Sequence, residues 1–218
     1  MSKLCILGTT HAPETFRSAC RLKRIDLTDD PTEASLLWLA QDVPTHDNGA
    51  RDQSGVNEYV TWAVQINDCP IILSSQVIPG TCRAFGIPRL YHMAETLRIK
   101  DAIERALRPE QFVIGCMDPS EQLPEVIKEL LSVFGCPVLT MSYEAAEFSK
   151  IAINATLAAQ VDNTNRLAEV AEKLCVDWNT VVKVLKNDRR IGRWSYLEPG
   201  YWADSSHIMR DMNWLEQQ

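Results

Sequence analysis

The chain has no apolar run approaching the roughly 18–20 residues that a membrane-spanning helix needs. Its first stretch, "MSKLCILGTTHAPE", carries too short an apolar segment for a secretory signal and no small-residue cleavage site. Positive charge is scarce: 22 Lys and Arg stand against 29 Asp and Glu, for a net charge of −7. That balance opposes nucleic acid and anionic membrane as partners, and only "RLKR" (21–24) and "KNDRR" (186–190) concentrate basic residues. Cys-x-x-Cys is missing too. The seven cysteines, at 5, 20, 69, 82, 116, 136 and 175, are odd in number and widely spaced. Cys5 and Cys136 lie in apolar, strand-like runs, where a thiol behaves as a small hydrophobe. Reduced thiols in a cytoplasmic protein are expected, not a disulfide scaffold. Histidines at 11, 46, 92 and 207 have no metal-ligand spacing, so no metal site is expected.

What is present is an ordinary globular composition, 45% hydrophobic and 23% charged over 218 residues. Short apolar runs recur in the first two-thirds: "KLCILG" (3–8), "SLLWLA" (35–40), "PIILSSQ" (70–76), "QFVIG" (111–115) and "CPVLTM" (136–141). Runs apolar on both faces suit buried parallel strands. Between them, "SGVNEYVTWAVQI" (54–66) and "SEQLPEVIKELLSVFG" (120–135) have helical spacing, the second ending on a Gly at the cap position. The alternation predicts an α/β domain over 1–141, its sheet parallel and covered on both faces.

Beyond residue 141 the texture changes. Residues 142–175 contain no Gly or Pro, and Phe148, Ile151, Leu157, Val161, Leu167, Val170 and Leu174 recur near helical spacing. One helix of that length runs nearly 50 Å at about 1.5 Å per residue. A small domain cannot cover it, which predicts packing against a second subunit. A further helix is expected over 177–187, and an all-helical region over 142–218.

Several segments resemble the UDP-glucose/GDP-mannose dehydrogenase family. "LLWLAQDVPTHDNGARDQSGVNEYV" (36–60) is similar to its strand, Pro-Thr loop and Asp/Gly turn, and "SSQVIPGT" (74–81) to its Val-Pro-Gly-Thr strand end. "AETLRIKDAIERALRPEQFVIG" (94–115) is similar to the segment that begins Pro-Glu-Phe-Leu. "EAAEFSKIAINATLAAQVDNTN" (144–165) is similar to its long dimer helix, and "DRRIG" with "GYWADSSHIMRDMNWL" (188–192, 200–215) to its closing active-site segment. The resemblance runs over nearly the whole chain. It implies a Rossmann-like domain, NAD as cofactor, a homodimer through the 142–175 helix, and oxidation of a sugar alcohol to a carboxylate by two hydride transfers. It carries a catalytic role onto Glu95, Lys150, Asn154 and Asp211, substrate contact onto Arg190, and cofactor contact onto Gly8, Pro44, Thr45, Ser75 and Thr81. Lys150 and Asn154, at i and i+4, share one helix face. An ammonium beside a developing alkoxide stabilises it, and a carboxylate can relay a proton through water.

The departures fall on demanding positions. His207 stands where the family has its nucleophilic Cys, and an imidazole can accept a proton but cannot hold a thioester. The turn after the first strand reads "GTTHAPE" (8–14), with one Gly and with Pro13 removing an amide that a Gly-x-Gly-x-x-Gly turn would offer. Most of a helix and second strand is missing, along with the ribose-binding acid. The sequence also has no counterpart of the family's nucleotide-sugar-binding third domain. Each side chain keeps a structural reading as well. Lys150 and Asn154 form a polar stripe, Glu95 and His207 are solvated, Thr45, Ser75 and Thr81 cap strands or turns, and Asp211 supports a helix N-terminus. Three functions stay open: a homodimeric scaffold or binding module for a nucleotide or sugar nucleotide, an NAD-dependent oxidoreductase making one hydride transfer, and half a site completed by a partner protein.

Overall fold

The structure is a computed structural model describing residues 2–9, 11–46, 49–94, 97, 101–202 and 205–218. The five apolar runs become strands β1 (Leu4–Leu7), β2 (Leu36–Leu39), β3 (Ile71–Leu73), β5 (Phe112–Cys116) and β6 (Val138–Ser142). A sixth strand, β4 (Leu90–Met93), is not legible as an apolar run because Tyr91 and His92 interrupt it. Among the described residues the strands form one sheet in the order β1-β2-β3-β4-β5-β6. Its ladders are parallel except between β4 and β5, where His92 faces Gly115 in antiparallel register. A periodicity reading cannot see strand direction, so this reversal is a departure from the expected all-parallel sheet.

Successive side chains of a strand point to opposite faces, which explains why these runs are continuously apolar. Leu36 and Trp38 join Phe16, Ile72, Met93 and Ile127 on one face, beneath helices α1 (His11–Leu22), α4 (Ala102–Leu107) and α5 (Glu125–Ser132). Leu37 and Leu39 join Val56, Val60, Ile71, Leu90 and Tyr143 on the other, beneath α2 (Ser54–Ile66) and α3 (Thr81–Phe85). Pro124 places the start of α5 later than the periodicity alone predicts, and Gly135 follows it at φ +66°.

The gapless stretch after β6 forms a single helix, α6 (Tyr143–Lys173), followed by α7 (Trp178–Asn187) and α8 (Ser206–Leu215). Contacts divide the chain into two units, residues 1–46 with 51–150 and residues 47–50 with 151–218. All seven cysteines are free. Among the described residues no helix is long and apolar enough to cross a membrane, and no cluster of His, Cys, Asp and Glu could hold a metal.

The edge of the sheet at β1 is closed by two devices. After α1 the chain makes one parallel bridge, Leu4 to Leu27, with Leu4 N–H donating to Asp26 O and Thr28 N–H to Leu4 O. Asp30 then caps a 3-10 turn, Pro31–Glu33, so this remnant strand ends there. Two residues further along β1, the Arg17 guanidinium donates to Ile6 O at 2.5 Å and pairs with Glu14. Arginine thus stands in for the missing strand. Arg17→Ala is expected to lower stability by about 1–2 kcal/mol, read as a lower urea midpoint at unchanged slope. Glu14→Gln, at an exposed pair, should change it by less than about 0.5 kcal/mol.

Candidate functional site

In the first unit, the residues of interest gather at the carboxyl ends of β1, β2 and β3, where open α/β sheets bind ligands. Gly8 ends β1 at φ +149°, and a Cβ there would strike Ala40 O and lie 2.6 Å from Pro13 Cγ. Ala40 N–H in turn donates to Leu7 O at 2.7 Å. Only glycine fits, because the strand end of β2 and the proline ring close on it from two sides. Ser75 is buried, its Oγ donating to Gln41 O at 2.7 Å. Pro44 O accepts from Asp52 N–H, and Thr45 makes an antiparallel bridge with Arg51. Thr81 opens α3 and donates to Ile78 O at 2.7 Å. Glu95 lies outside the described residues.

Two groups at this end were not singled out in the sequence. Glu147, buried in the second turn of α6, accepts from Gly80 N–H at 2.6 Å and Cys82 N–H at 2.7 Å. Burial pushes its carboxyl up, while those amides pull it back. One turn earlier, Glu144 pairs with Arg83, whose hydrogen bond holds the carboxyl at about 2. Together the two carboxylates fasten residues 80–83, at the start of α3, to α6. The other is His92, fully enclosed, with Nε2 3.3 Å from Ser75 O and no partner at Nδ1 among the described residues. Burial lowers its pKa to about 4, so the ring is neutral and Nε2–H donates. For Glu147 a signal was available, since it lies three residues before Lys150 and seven before Asn154 on the same helix face; for His92 there was none, because β4 was not legible.

Because the His92 pKa is depressed below its unfolded value, the stability tied to the neutral ring is present above about pH 6.5. It is lost as pH falls toward 4, since the unfolded chain takes the proton first. His92→Asn should flatten the fall in unfolding free energy between those values, which amounts to about 3 kcal/mol in the parent. Urea titrations at pH 7, 5.5 and 4.5 check this, and equal pH slopes for parent and variant would refute it.

Lys150, half-buried on α6, belongs to the first unit. In the second unit, Asn154 Nδ2 donates to Asp211 Oδ2 at 2.6 Å, and both residues are buried, with Arg210 buried alongside in sequence. Ser205 caps α8 by accepting from Ile208 N–H, which sets the helix that presents Asp211. The loop before it is pinned to α6: Tyr196 N–H donates to Gln160, Thr164 Oγ to Tyr196 O, and Trp202 Nε1 to Asp162 at 2.6 Å. Asn154 and Asp211 are therefore brought together. His207 is in the first turn of α8, four residues before Asp211, and exposed. Arg190 is not brought to them. It is exposed and engaged in two hydrogen bonds by Asp188.

An α/β unit of dinucleotide-binding type joined to a helical unit with a buried Asn–Asp pair is the class of protein that these features define. Residues 144–218 match the central domain of the UDP-glucose/GDP-mannose dehydrogenase family. The UDP-glucose 6-dehydrogenase TuaD of Bacillus subtilis is 33% identical over 89% of this chain and 45% of its own length. A UDP-glucose 6-dehydrogenase of Rickettsia bellii is 26% identical over 93% of this chain and 50% of its own. A UDP-glucose dehydrogenase structure from Pyrobaculum islandicum superposes with a TM-score of 0.74 at 21% identity, covering all of this chain and 64% of that one. The NDP-N-acetyl-D-galactosaminuronic acid dehydrogenase structure from Methanosarcina mazei gives 0.71 at 19%, over all of this chain and 60% of that one. At those identities the structures speak for the fold. The chain belongs to the UDP-glucose/GDP-mannose dehydrogenase family, and it spans about half the length of the curated relatives it matches.

That fold implies NAD, whose pyrophosphate needs the amides of the turn after β1 and of the first turn of α1. Here Pro13 lacks an amide in that first turn and its ring fills the space before Gly8. Glu14 adds a carboxylate to the same turn, already paired with Arg17. These residues do not fit a pyrophosphate in the usual position.

Proposed function

We propose that this chain is a divergent UDP-glucose dehydrogenase-like protein that does not carry out the two-step oxidation of a nucleotide sugar, and acts in the cytoplasm as a homodimeric binding module or scaffold. The observation that carries this reading is the thiol position. The resemblance puts His207 there, and the second unit's one cysteine, Cys175, is exposed beyond the end of α6, about 30 Å along the helix from Asn154. No thioester can form on an imidazole, so the aldehyde stage has no covalent route to the acid. The Gly8 turn supports the same reading from the cofactor side. For the dimer, Leu167 and Val170 on α6 and Leu174 just past its end are exposed at helical spacing, an apolar stripe that a second copy would cover. The ligand class proposed for the module is a nucleotide or sugar nucleotide held away from the Gly8 turn.

One observation favours the second reading, an NAD-dependent oxidoreductase with Lys150, Asn154 and Asp211 polarising the substrate oxygen: the Asn154–Asp211 pair is kept, buried and short. An assay of NADH formation with UDP-glucose and NAD separates the two. No turnover is expected from the parent chain or from His207→Cys, because restoring the thiol leaves the turn at Gly8 closed. Sustained NADH formation by the parent would establish the oxidoreductase instead. Two NADH per sugar from His207→Cys would show that the missing thiol was the sole lesion.

A further inference from the structure

We draw no further inference here: the strongest candidate, the groove of the second unit between α6, the 196–202 loop and the first turn of α8, lined by Leu157, Val161, Tyr196, Tyr201, Trp202 and Ile208, belongs to the site already described, and nothing in the structure shows what covers it.

Discussion

Gly8 sits where no side chain can, held between the carbonyl end of β2 and the ring of Pro13. That contact fixes how α1 leaves β1, and α1 in turn supplies Phe16 against Trp38 and Arg17 against Ile6 O. The core on that face and the seal on that edge both follow from it. On the proposed reading the same turn works against a pyrophosphate, because Pro13 offers no amide and Glu14 adds a carboxylate to the first turn of α1.

The second unit shows a parallel division between what is kept and what is changed. Asn154 and Asp211 meet in a short buried hydrogen bond, and the 196–202 loop is tied to α6 through Gln160, Asp162 and Thr164. The Asn154–Asp211 contact satisfies two buried groups, which gives it a structural role whether or not it has a chemical one. His207, four residues from Asp211 on α8, is exposed. The Asn154–Asp211 pair lies inside the second unit and His207 at its surface.

Much of this was legible in the sequence for physical reasons that can be named. β2 and β3 are apolar on both faces because the sheet is covered on both, so continuous runs betrayed them. α2 was readable to its ends because Asp52 and Ser54 mark its start. α6 announced itself by lacking Gly and Pro. β4 was not readable, because its buried His92 is polar and its neighbour Tyr91 is amphipathic, and neither follows an apolar pattern. The reversed direction of β5 leaves no trace in composition. Within the site, the Asn154–Asp211 meeting was recoverable only through the resemblance, since residues 57 apart share no periodicity. The closure of Gly8 could be guessed from Pro13 but not its contact with Ala40, and Arg190 turned to its neighbour Asp188 instead of to the buried pair.

The central claim is that the β1–α1 turn no longer admits a dinucleotide. Calorimetric titration of the purified chain with NAD, and separately with ADP-ribose, tests it most directly, because both carry the pyrophosphate and only one carries nicotinamide. The account predicts no saturable heat for either ligand. Saturable binding of both, weakened together by a bulky residue at Gly8's neighbour Thr9, would contradict it and return the chain to the nucleotide-binding members of its family.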